Sequence, residues 1–543
     1  MSNLSLPQRG LQSGGCLLTN FDIIHARPLY DISSCTQLEA IDLRIAAPDC
    51  TRDLIVDTRQ SISSQILNAI PTCRILNAGR YGSVDTHILY IATASKDQGL
   101  FCRDFGLNQL YDGTWIFVAG DEILGNRSNH VITVHPEISS IHLARDGPEN
   151  EQSAIIMLLR EIEHNPPIIW PTFSYSLLCS MRPQVAALGL TTFPALYIVG
   201  QQGFGKTMLV SRYCLLYDVM DNVPPRLCGK LDANSTAKGV IKEISKYRGQ
   251  VILVDDLARG SNPAVQRERQ KLMAEVLRFA TNGSIRRTAA PRASSSAYDC
   301  QSGVAFTGEV PLTAASDLTR IIEVQLTEPM RGGLPTARMA AAKAFRAWMI
   351  WLLPHIDSEL QVLSRQLASL TSCDDARLEI SKLLLLWSTE LFYRFVLETD
   401  IISQSYYQSA IRAAEQVFES LLSAQAKKVS RVQNYTPQGN LCWYILQGYH
   451  NNEFHVVPRK KLNHDEDCIV EKDALCIRTE TLLTYLRGKA NFGSLSSKEM
   501  TKMLCQEGVL KKHSEMRLAT KRIQGRRYLE LPFAALRNGA KHY

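Results

Sequence analysis

The sequence lacks any apolar run long enough to cross a membrane. Its apolar runs, such as WMIWLL at 348–353 and LLLLW at 383–387, are far shorter than the roughly 18 residues that a membrane helix needs. The first ten residues, MSNLSLPQRG, contain neither the basic segment nor the apolar segment that directs secretion. We therefore expect no membrane span and no secretory signal, and the cytoplasm is the expected compartment.

Paired cysteines are also lacking. The 14 cysteines are scattered singly from Cys16 to Cys505, and no two have the C-x-x-C spacing of zinc knuckles or redox pairs. The histidines of the first 165 residues likewise show no metal-ligand spacing with a nearby acid. We expect reduced, mostly buried thiols and no zinc site.

The chain lacks a marked excess of positive or negative charge except near its C-terminal end. The chain is 45% hydrophobic and 21% charged, close to an average folded protein, and its 543 residues predict three or four domains of about 150 residues each. The formal net charge is +7, yet residues 481–543 alone carry thirteen Lys or Arg against four Glu. This pattern is expected where an end domain binds a polyanion.

Proline and glycine positions and changes of hydrophobic period divide the sequence into four regions. Residues 1–165 predict a mixed α/β domain of unknown role. Residues 172–330 alternate strand and helix patterns, which predicts a parallel sheet with helices on both faces. Residues 335–428 predict a helical domain, and residues 437–543 mix short helices and strands. The predicted fold class is therefore α/β, with a helical segment and a basic C-terminal domain.

Within the first region, local patterns predict individual elements. Residues 86–92 resemble a strand, and Asp112-Gly113 before an alternating segment predicts a β-hairpin. A helix is predicted over 151–163. Asn165-Pro166-Pro167 and Pro171 are expected to break it, which would place a domain boundary there.

The most specific pattern is GQQGFGKT at 200–207, which fits G-x-x-x-x-G-K-[ST] and follows a predicted strand. Glycines let backbone N–H groups turn toward phosphate oxygens, and a helix start adds its positive dipole end. The lysine is expected to contact the β- and γ-phosphates, and the threonine hydroxyl is expected to bind Mg²⁺. The pattern thus predicts a P-loop; the alternative is a glycine-rich surface turn. The predicted nucleotide-binding residues are Gly200, Gln201, Gln202, Gly203, Phe204, Gly205, Lys206, Thr207 and Met208.

A second acidic element follows the predicted strand 251–254. Asp255 is expected to hold Mg²⁺ together with Thr207, and Asp256 is expected at the catalytic-base position. The alternative is that both aspartates cap a helix. Since the chain contains no N-K-x-D segment, which would select guanine, ATP is the expected nucleotide.

Two further candidate catalytic residues lie beside predicted strands later in the sequence. Thr307 ends the predicted strand 303–306 and is a candidate sensor of the γ-phosphate, whereas Arg320 precedes the next strand and is a candidate arginine finger for a neighbouring subunit. The alternatives are a structural hydrogen bond for the threonine and a solvated charge for the arginine.

Together, GLTTFPALYIVGQQGFGKT, VILVDDL, LRFATNGSIRRTA, FTGE and TRIIEV resemble the AAA+-like P-loop domain of mobile-element replication helicases. This family includes cassette-chromosome and pathogenicity-island helicases that are similar to MCM and superfamily-3 enzymes. The resemblance covers about 172–330, with a weaker similarity in the C-terminal region. It implies that Lys206, Asp255, Asp256, Thr307 and Arg320 form the catalytic set. The chain departs from many such ATPases at Asp256, where they carry glutamate.

The same resemblance implies contacts with DNA. Helicases of this type insert a pore hairpin between the acidic strand and the sensor strand, where this chain has Arg286, Arg287 and Arg292. Those arginines would follow the phosphate backbone without reading bases; the alternative is an exposed basic loop.

At the C-terminal end, a helix over 497–506 and a basic hairpin around Gly525 predict a winged-helix DNA-binding module. Its predicted DNA contacts are Lys521, Arg522, Arg526 and Arg527. The alternative is a small basic domain that contacts other subunits.

The predicted function is an ATP- and Mg²⁺-dependent DNA helicase or translocase, acting on single-stranded or forked DNA in the replication of a mobile element. A finger that acts in trans implies a homo-oligomer, expected to be a ring hexamer, and a primase or polymerase of the same element is a further expected partner. The first alternative is an ATPase switch without unwinding activity, such as a loader or a defence-system ATPase. The second is a DNA-binding initiator that holds ATP structurally.

Overall fold

The structure is a computed structural model, and it divides into two compact units. The first comprises Met1–Leu312 and Ser316–Gln425, and the second comprises Thr313–Ala315 and Ala426–Tyr543. It describes residues 10–13, 16–76, 78–125, 130–136, 138, 141–144, 151–190, 192–217, 230–232, 236–257, 263–283, 299–309, 311–312, 314–330, 337–370, 376–434, 437–461, 468–488, 492, 495–510, 512–514, 517–518 and 520–540. The structure describes only the backbone of residues 78, 230–232, 256–257, 263–271, 431–434, 437–440, 461, 506, 512–514, 517–518, 520 and 539–540.

The elements before the glycine-rich motif are mostly strands at first and helices later. In chain order they are β1 Gln12–Ser13, β2 Cys16–Leu17, β3 Asp22–Asp31, β4 Leu38–Ala46, β5 Thr51–Asp57, α1 Ile62–Ala69, α2 Tyr81–Thr93, β6 Gly99–Cys102, β7 Gly106–Gln109, β8 Trp115–Ala119, β9 Glu122–Leu124, β10 Ile132–Val134, α3 Glu151–His164, α4 Pro166–Ser180 and α5 Arg182–Ala187.

Strands and helices alternate next, and four long helices follow them. In chain order these elements are β11 Ala195–Gly200, α6 Lys206–Tyr213, β12 Lys230–Asp232, α7 Ala237–Ile244, β13 Arg248–Leu257, α8 Pro263–Asn282, β14 Gln301–Gly308, α9 Ala315–Leu318, β15 Ile321–Leu326, α10 Ala337–Leu352, α11 Ile356–Ser369, α12 Ala376–Glu398 and α13 Gln404–Asn434.

The remaining elements are short. They are α14 Pro437–His450, β16 Ile469–Glu471, β17 Ala474–Ile477, α15 Thr479–Arg487, α16 Ser497–Gln506, β18 Lys512–Ser514, β19 Arg517–Leu518, β20 Thr520–Ile523, β21 Arg526–Pro532 and α17 Phe533–Ala540, and short 3-10 helices occupy Ala78–Arg80, Leu353–His355 and Arg459–Lys461.

A five-stranded parallel sheet of order β12-β13-β14-β11-β15 forms the centre of the first unit. Its strands are short, apolar and buried on both faces, which is typical of parallel sheets covered by helices. β14 is inserted between β11 and β13, so the glycine-rich motif and the acidic pair belong to strands that are not neighbours. All five strands point the same way and therefore present their carboxyl ends at one edge. The predicted parallel α/β sheet is confirmed.

The first region contains a second sheet of order β10-β6-β3-β4-β5 and an antiparallel sheet of order β7-β8-β9. The hairpin predicted at Asp112-Gly113 is confirmed, since it joins β7 to β8. The strand predicted over 86–92 is wrong, because these residues lie in α2. Val84, Ile88 and Ala92 are the buried residues of this helix. Their four-residue spacing places them on one helical face, and the β-branched residues between them had suggested a strand.

The proline-rich segment ends one helix but does not break the next. α3 stops at His164, and α4 begins with Pro166 at its first position, where a missing N–H costs no helical hydrogen bond. Pro171 was expected to break the helix, and that expectation is wrong because α4 continues through it. Residues 169–180 are buried throughout, and this packing outweighs the one backbone bond that the proline removes.

One hydrophobic core contains residues from all three of the first regions, from Phe105 to Phe418, while a separate cluster contains described apolar residues from Leu11 to Ala92. α4 contacts β13, β14, β15 and α12. Trp170 donates a hydrogen bond from Nε1 to Tyr393 Oη at 3.2 Å, and Phe117 of β8 packs edge-on against Phe345 of α10. These regions belong to one compact unit, and their assignment to separate domains stays a prediction.

Close packing between α4 and β14 gives a testable prediction. A Cβ added at Gly303 would lie 2.0 Å from Cys179 Sγ, so Gly303→Ala is expected to lower the free energy of unfolding by about 1–3 kcal/mol. The matched control is Gly82→Ala in α2, where a Cβ meets nothing within 4 Å and is expected to stabilise by up to about 1 kcal/mol. Denaturant titration measures both changes, and equal stability of the two variants would contradict this packing.

The second unit contains an antiparallel sheet of order β16-β17-β21-β20. The helix predicted over 497–506 is confirmed as α16, which begins with a capping box between Ser496 and Glu499. The basic hairpin is confirmed as β20 and β21, joined by Gln524 and Gly525, both with positive φ. Whether these elements act as a winged helix stays a prediction.

Among the described residues, eight of the twelve free cysteines are buried. Burial raises the pKa of Cys73 to about 11 and that of Cys102 to about 12, so both thiols stay protonated near neutral pH. The prediction of mostly buried thiols therefore holds for the described cysteines, and their reduced state stays a prediction. No described helix is long and apolar enough to span a membrane.

Candidate functional site

The candidate site begins where β11 ends and α6 starts. Gly200 is the last residue of β11, and Lys206 is the first residue of α6; we call residues 200–205 the glycine loop. Gly203 and Gly205 have φ of 80° and 88°, a left-handed backbone that residues with a Cβ rarely adopt. Because Gly205 has no side chain to cap α6, the first-turn N–H groups are directed out of the helix start. This geometry suits an anion.

The segment that follows β15 also contacts the glycine loop. Met330 donates its backbone N–H to Phe204 O at 3.1 Å, and a Cβ on Gly205 would lie 3.3 Å from Met330 Cβ. Sequence reasoning missed Met330, because nothing in the pattern after β15 marks a contact with a loop more than a hundred residues earlier. The loop backbone is thus held by the sheet next to it as well as by its own helix.

The side chain of Lys206 folds back and contacts the backbone of the glycine loop. Its Nζ donates to Gly200 O at 2.8 Å and to Gln201 O at 2.9 Å. The ammonium group therefore sits directly beside the loop backbone rather than extending into solvent. An ammonium in this position can neutralise anionic oxygens held by the same loop.

Two hydroxyls converge on one aspartate oxygen next to the loop. Thr207 Oγ1 donates to Asp255 Oδ1 at 2.8 Å, and Thr307 Oγ1 donates to the same oxygen at 2.6 Å. Asp255 is 8% exposed and Thr307 is fully buried. The three residues come from α6, β13 and β14, whose adjacent positions at the sheet edge bring them together. The structure thus joins three of the predicted catalytic and metal residues in one cluster.

The donor set fits a magnesium ion bound together with phosphate. Hydroxyl and carboxylate oxygens are hard ligands, and protein Mg²⁺ sites often use one or two such groups plus substrate phosphates. Among the described residues there is no group of three or more His, Cys, Asp or Glu that could hold a metal alone. Thr207 and Asp255 would therefore hold Mg²⁺ only as part of a shared site.

Arg320 lies just before the amino end of β15, at the end of the sheet opposite the glycine loop. Ala195 pairs with Ile321 at one end of β11, and Gly200 pairs with Leu326 at the other, so about 17 Å of strand separates Arg320 from the glycine loop. That separation exceeds the length of an arginine side chain. The structure does not bring Arg320 to the glycine loop of its own chain.

Three guanidinium groups gather around this end of the sheet. Burial lowers the pKa of Arg320, repulsion from Arg377 and Arg278 lowers it further, and Asp317 opposes the shift. Among the described residues, Arg320 Nε is buried without a hydrogen-bond partner, while Nη1 donates to Ser316 O. Asp317 is the one carboxylate among the groups that shift the pKa of Arg320, against two guanidinium groups.

The predicted DNA contacts of the second unit differ among themselves. Lys521 pairs with Glu471 at 2.8 Å and Glu530 at 3.2 Å, so its charge is already balanced. Arg522 and Arg527 are exposed and face each other across the hairpin, and Arg526 is half-buried. The two exposed arginines are thus the better-placed pair for a phosphate backbone.

Several predicted site residues lie outside what the structure describes. The side chain of Asp256 is among them, although its backbone continues β13 directly after Asp255. Arg286, Arg287 and Arg292 also lie outside the described residues, between the end of α8 and the start of β14. Their predicted roles stay predictions.

Comparison with known proteins shows similarity in fold alone. No protein-family model and no curated protein matches the chain. Among solved structures, the active helicase Cch of SCCmec type IV aligns over 96% of this chain and 95% of its own, with 12% identity and a TM-score of 0.52. A JCV helicase aligns over 50% of this chain and 74% of its own with 11% identity, and its TM-score of 0.18 is too low to support an argument. The chain therefore has a helicase-like fold.

Proposed function

We propose that this protein is an ATP- and Mg²⁺-dependent DNA helicase or translocase that acts in the replication of a mobile genetic element, as a ring hexamer. The observation that carries the proposal is the convergence of Thr207 and Thr307 on Asp255 beside the glycine loop. The fold similarity to an active helicase over nearly the whole chain supports it. The primase or polymerase of the same element is a proposed partner.

In this proposal, each residue of the site has a separate task. The loop N–H groups and Lys206 bind the phosphates of ATP. Thr207 and Asp255 would hold Mg²⁺, and the metal would supply positive charge beside the phosphate oxygens. Thr307 orients Asp255 through its short hydrogen bond, and Asp256 orients the attacking water.

In this proposal Arg320 acts on a neighbouring copy of the chain. Because it lies about 17 Å from its own glycine loop, it could contact the γ-phosphate only of a neighbouring copy. An arginine supplied in this way stabilises the charge of phosphoryl transfer. A repeated head-to-tail contact of this kind closes into a ring when the rotation per subunit allows it.

DNA binding is assigned to the pore arginines Arg286, Arg287 and Arg292 and to the C-terminal hairpin. In the hairpin, Arg522 and Arg527 would bind phosphate, with Arg526 beside them, and Lys521 would serve mainly to hold the hairpin through its two ion pairs. Contacts of this type are independent of base sequence, as a translocating enzyme requires.

The test of the proposed function is the steady-state ATPase rate with and without single-stranded DNA, followed by strand displacement on a forked duplex. We expect DNA to raise the rate and the enzyme to displace the strand. The double variant Arg522→Ala/Arg527→Ala is expected to keep the DNA-independent rate but to need a higher DNA concentration for stimulation, since two phosphate contacts are lost.

Arg365→Ala is the control, because Arg365 is an exposed arginine of the helical segment and should leave both rates unchanged. Turnover that ignores DNA would favour an assembly switch such as a loader. Binding of ATP without turnover would favour an initiator that holds ATP structurally. Either result would refute the helicase proposal.

A further inference from the structure

Gln425 of α13 is a buried polar residue at the edge of the parallel sheet. It is 2% exposed. Its Nε2 donates to Ile321 O at 2.7 Å and to Leu318 O, and its Oε1 accepts from Glu323 N at 3.1 Å. A glutamine amide carries two N–H donors on Nε2, and both are used here, so the contact is specific rather than incidental.

These bonds replace a missing strand neighbour. In the part of the chain that the structure describes, β15 is the edge strand of its sheet and pairs only with β11. An edge strand presents backbone N–H and C=O groups outward, and buried groups of this kind need partners. Gln425 supplies them from a helix: Glu323 N and Ile321 O bond to its amide in the manner of a neighbouring strand.

The bonded carbonyls flank Arg320 on both sides. Leu318 O precedes it by two residues, and Ile321 O follows it by one. The backbone of Arg320 itself is also held, because its N–H donates to Asp317 O and its carbonyl accepts from Ala195 N, both at 3.0 Å. The segment 318–321 is therefore pinned between β11 and α13, and Gln425 is the side chain that joins it to α13.

We infer that Gln425 is a positioning residue that sets where the Arg320 guanidinium is presented to a neighbouring copy. The inference rests on the proposed function, in which Arg320 acts on the ATP of that neighbour. Without the amide bonds, the backbone on both sides of Arg320 can shift, and a displacement of about 1 Å in a group that stabilises the transition state can cost about a hundredfold in rate.

The first test is Gln425→Met, which keeps the side-chain length and removes all three hydrogen bonds. We expect kcat for ATP to fall at least about tenfold with KM for ATP unchanged, because the glycine loop of the same subunit is untouched. The control is Gln416→Met, an exposed glutamine of the same helix, which should match the parent enzyme. If Gln425→Met does not fold, Gln425→Glu serves instead, since it keeps the acceptor and loses the two donors.

The second test separates a role toward the neighbour from a general structural role. Gln425→Met subunits are co-expressed with Lys206→Ala subunits, which lack the loop lysine but carry a correctly held Arg320. We expect the mixed assemblies to recover hydrolysis, because the intact loop of one subunit meets the well-placed arginine of the other. A parallel mixture of Arg320→Ala with Lys206→Ala should recover activity in the same way.

The outcomes separate the two proposals. Suppose that the Arg320→Ala mixture recovers ATP hydrolysis. If Gln425→Met alone then keeps the parental kcat, or if its mixture with Lys206→Ala does not recover hydrolysis, the inference about Gln425 is refuted and the proposed function stands. If the Arg320→Ala mixture does not recover, or Arg320→Ala alone has the parental rate, the trans-acting arginine is refuted and the role of Gln425 with it.

Discussion

Lys206→Ala is expected to reduce ATP hydrolysis by at least about a hundredfold, the scale of losing one group that stabilises transition-state charge. The ammonium lies 2.8 Å from Gly200 O and 2.9 Å from Gln201 O, directly where the loop would hold phosphate oxygens. Alanine removes that charge without any group to replace it. The steady-state ATPase rate with saturating DNA measures the effect.

The lysine variant should fold normally. Lys206 is only half-buried, and surface substitutions usually change stability by less than about 0.5 kcal/mol, so the melting temperature should stay close to that of the parent. Lys238→Ala removes an exposed lysine from α7 and should leave the ATPase rate unchanged. A Lys206→Ala protein that hydrolyses ATP at the parental rate would show that the glycine loop is not the catalytic phosphate site.

Asp255→Asn is expected to lower hydrolysis by a similar factor, through loss of the metal rather than loss of the fold. The amide oxygen of asparagine can still accept the hydroxyls of Thr207 and Thr307, so the buried cluster keeps its hydrogen bonds. The negative charge that attracts Mg²⁺ is removed, however. Since this metal normally neutralises transferring phosphates, kcat should fall by about 10²–10³.

Nucleotide binding measured with and without metal distinguishes this explanation from misfolding. In EDTA, the variant and the parent should bind a fluorescent ATP analogue equally, because the glycine loop is unchanged. With Mg²⁺ added, only the parent should gain affinity. Equal gains in both proteins would mean that Asp255 is not a metal ligand.

The local elements of this protein were mostly predictable, since they depend on short-range physics. The turn at Asp112-Gly113, the capping box of α16 and the hairpin at Gly525 each follow from residues that favour one backbone conformation. Prediction failed where packing decided the outcome. α2 formed in place of a strand because one helical face could be buried, and α4 ran through Pro171 because its surroundings bury the helix.

The candidate site was predicted in its parts but not in its arrangement. The motif at 200–207 and the acids at 255–256 could be recognised because a phosphate loop needs glycines, lysine and a hydroxyl at set spacing. The approach of Met330 to the loop and the role of Gln425 at the sheet edge had no sequence signal. Both contacts join residues about a hundred or more positions apart, and no local pattern encodes such a distance.

The sequence by itself thus determined where this protein has a glycine-rich motif of the phosphate-loop pattern, an acidic pair in a strand and a basic C-terminal region, because each depends on neighbouring residues. Only the tertiary structure decided that Thr207 and Thr307 share one oxygen of Asp255, and that Arg320 lies at the far edge of the sheet. The order of parallel strands determines which strand ends become neighbours. That order follows from how helices and sheet bury their apolar faces together, which depends on the whole chain.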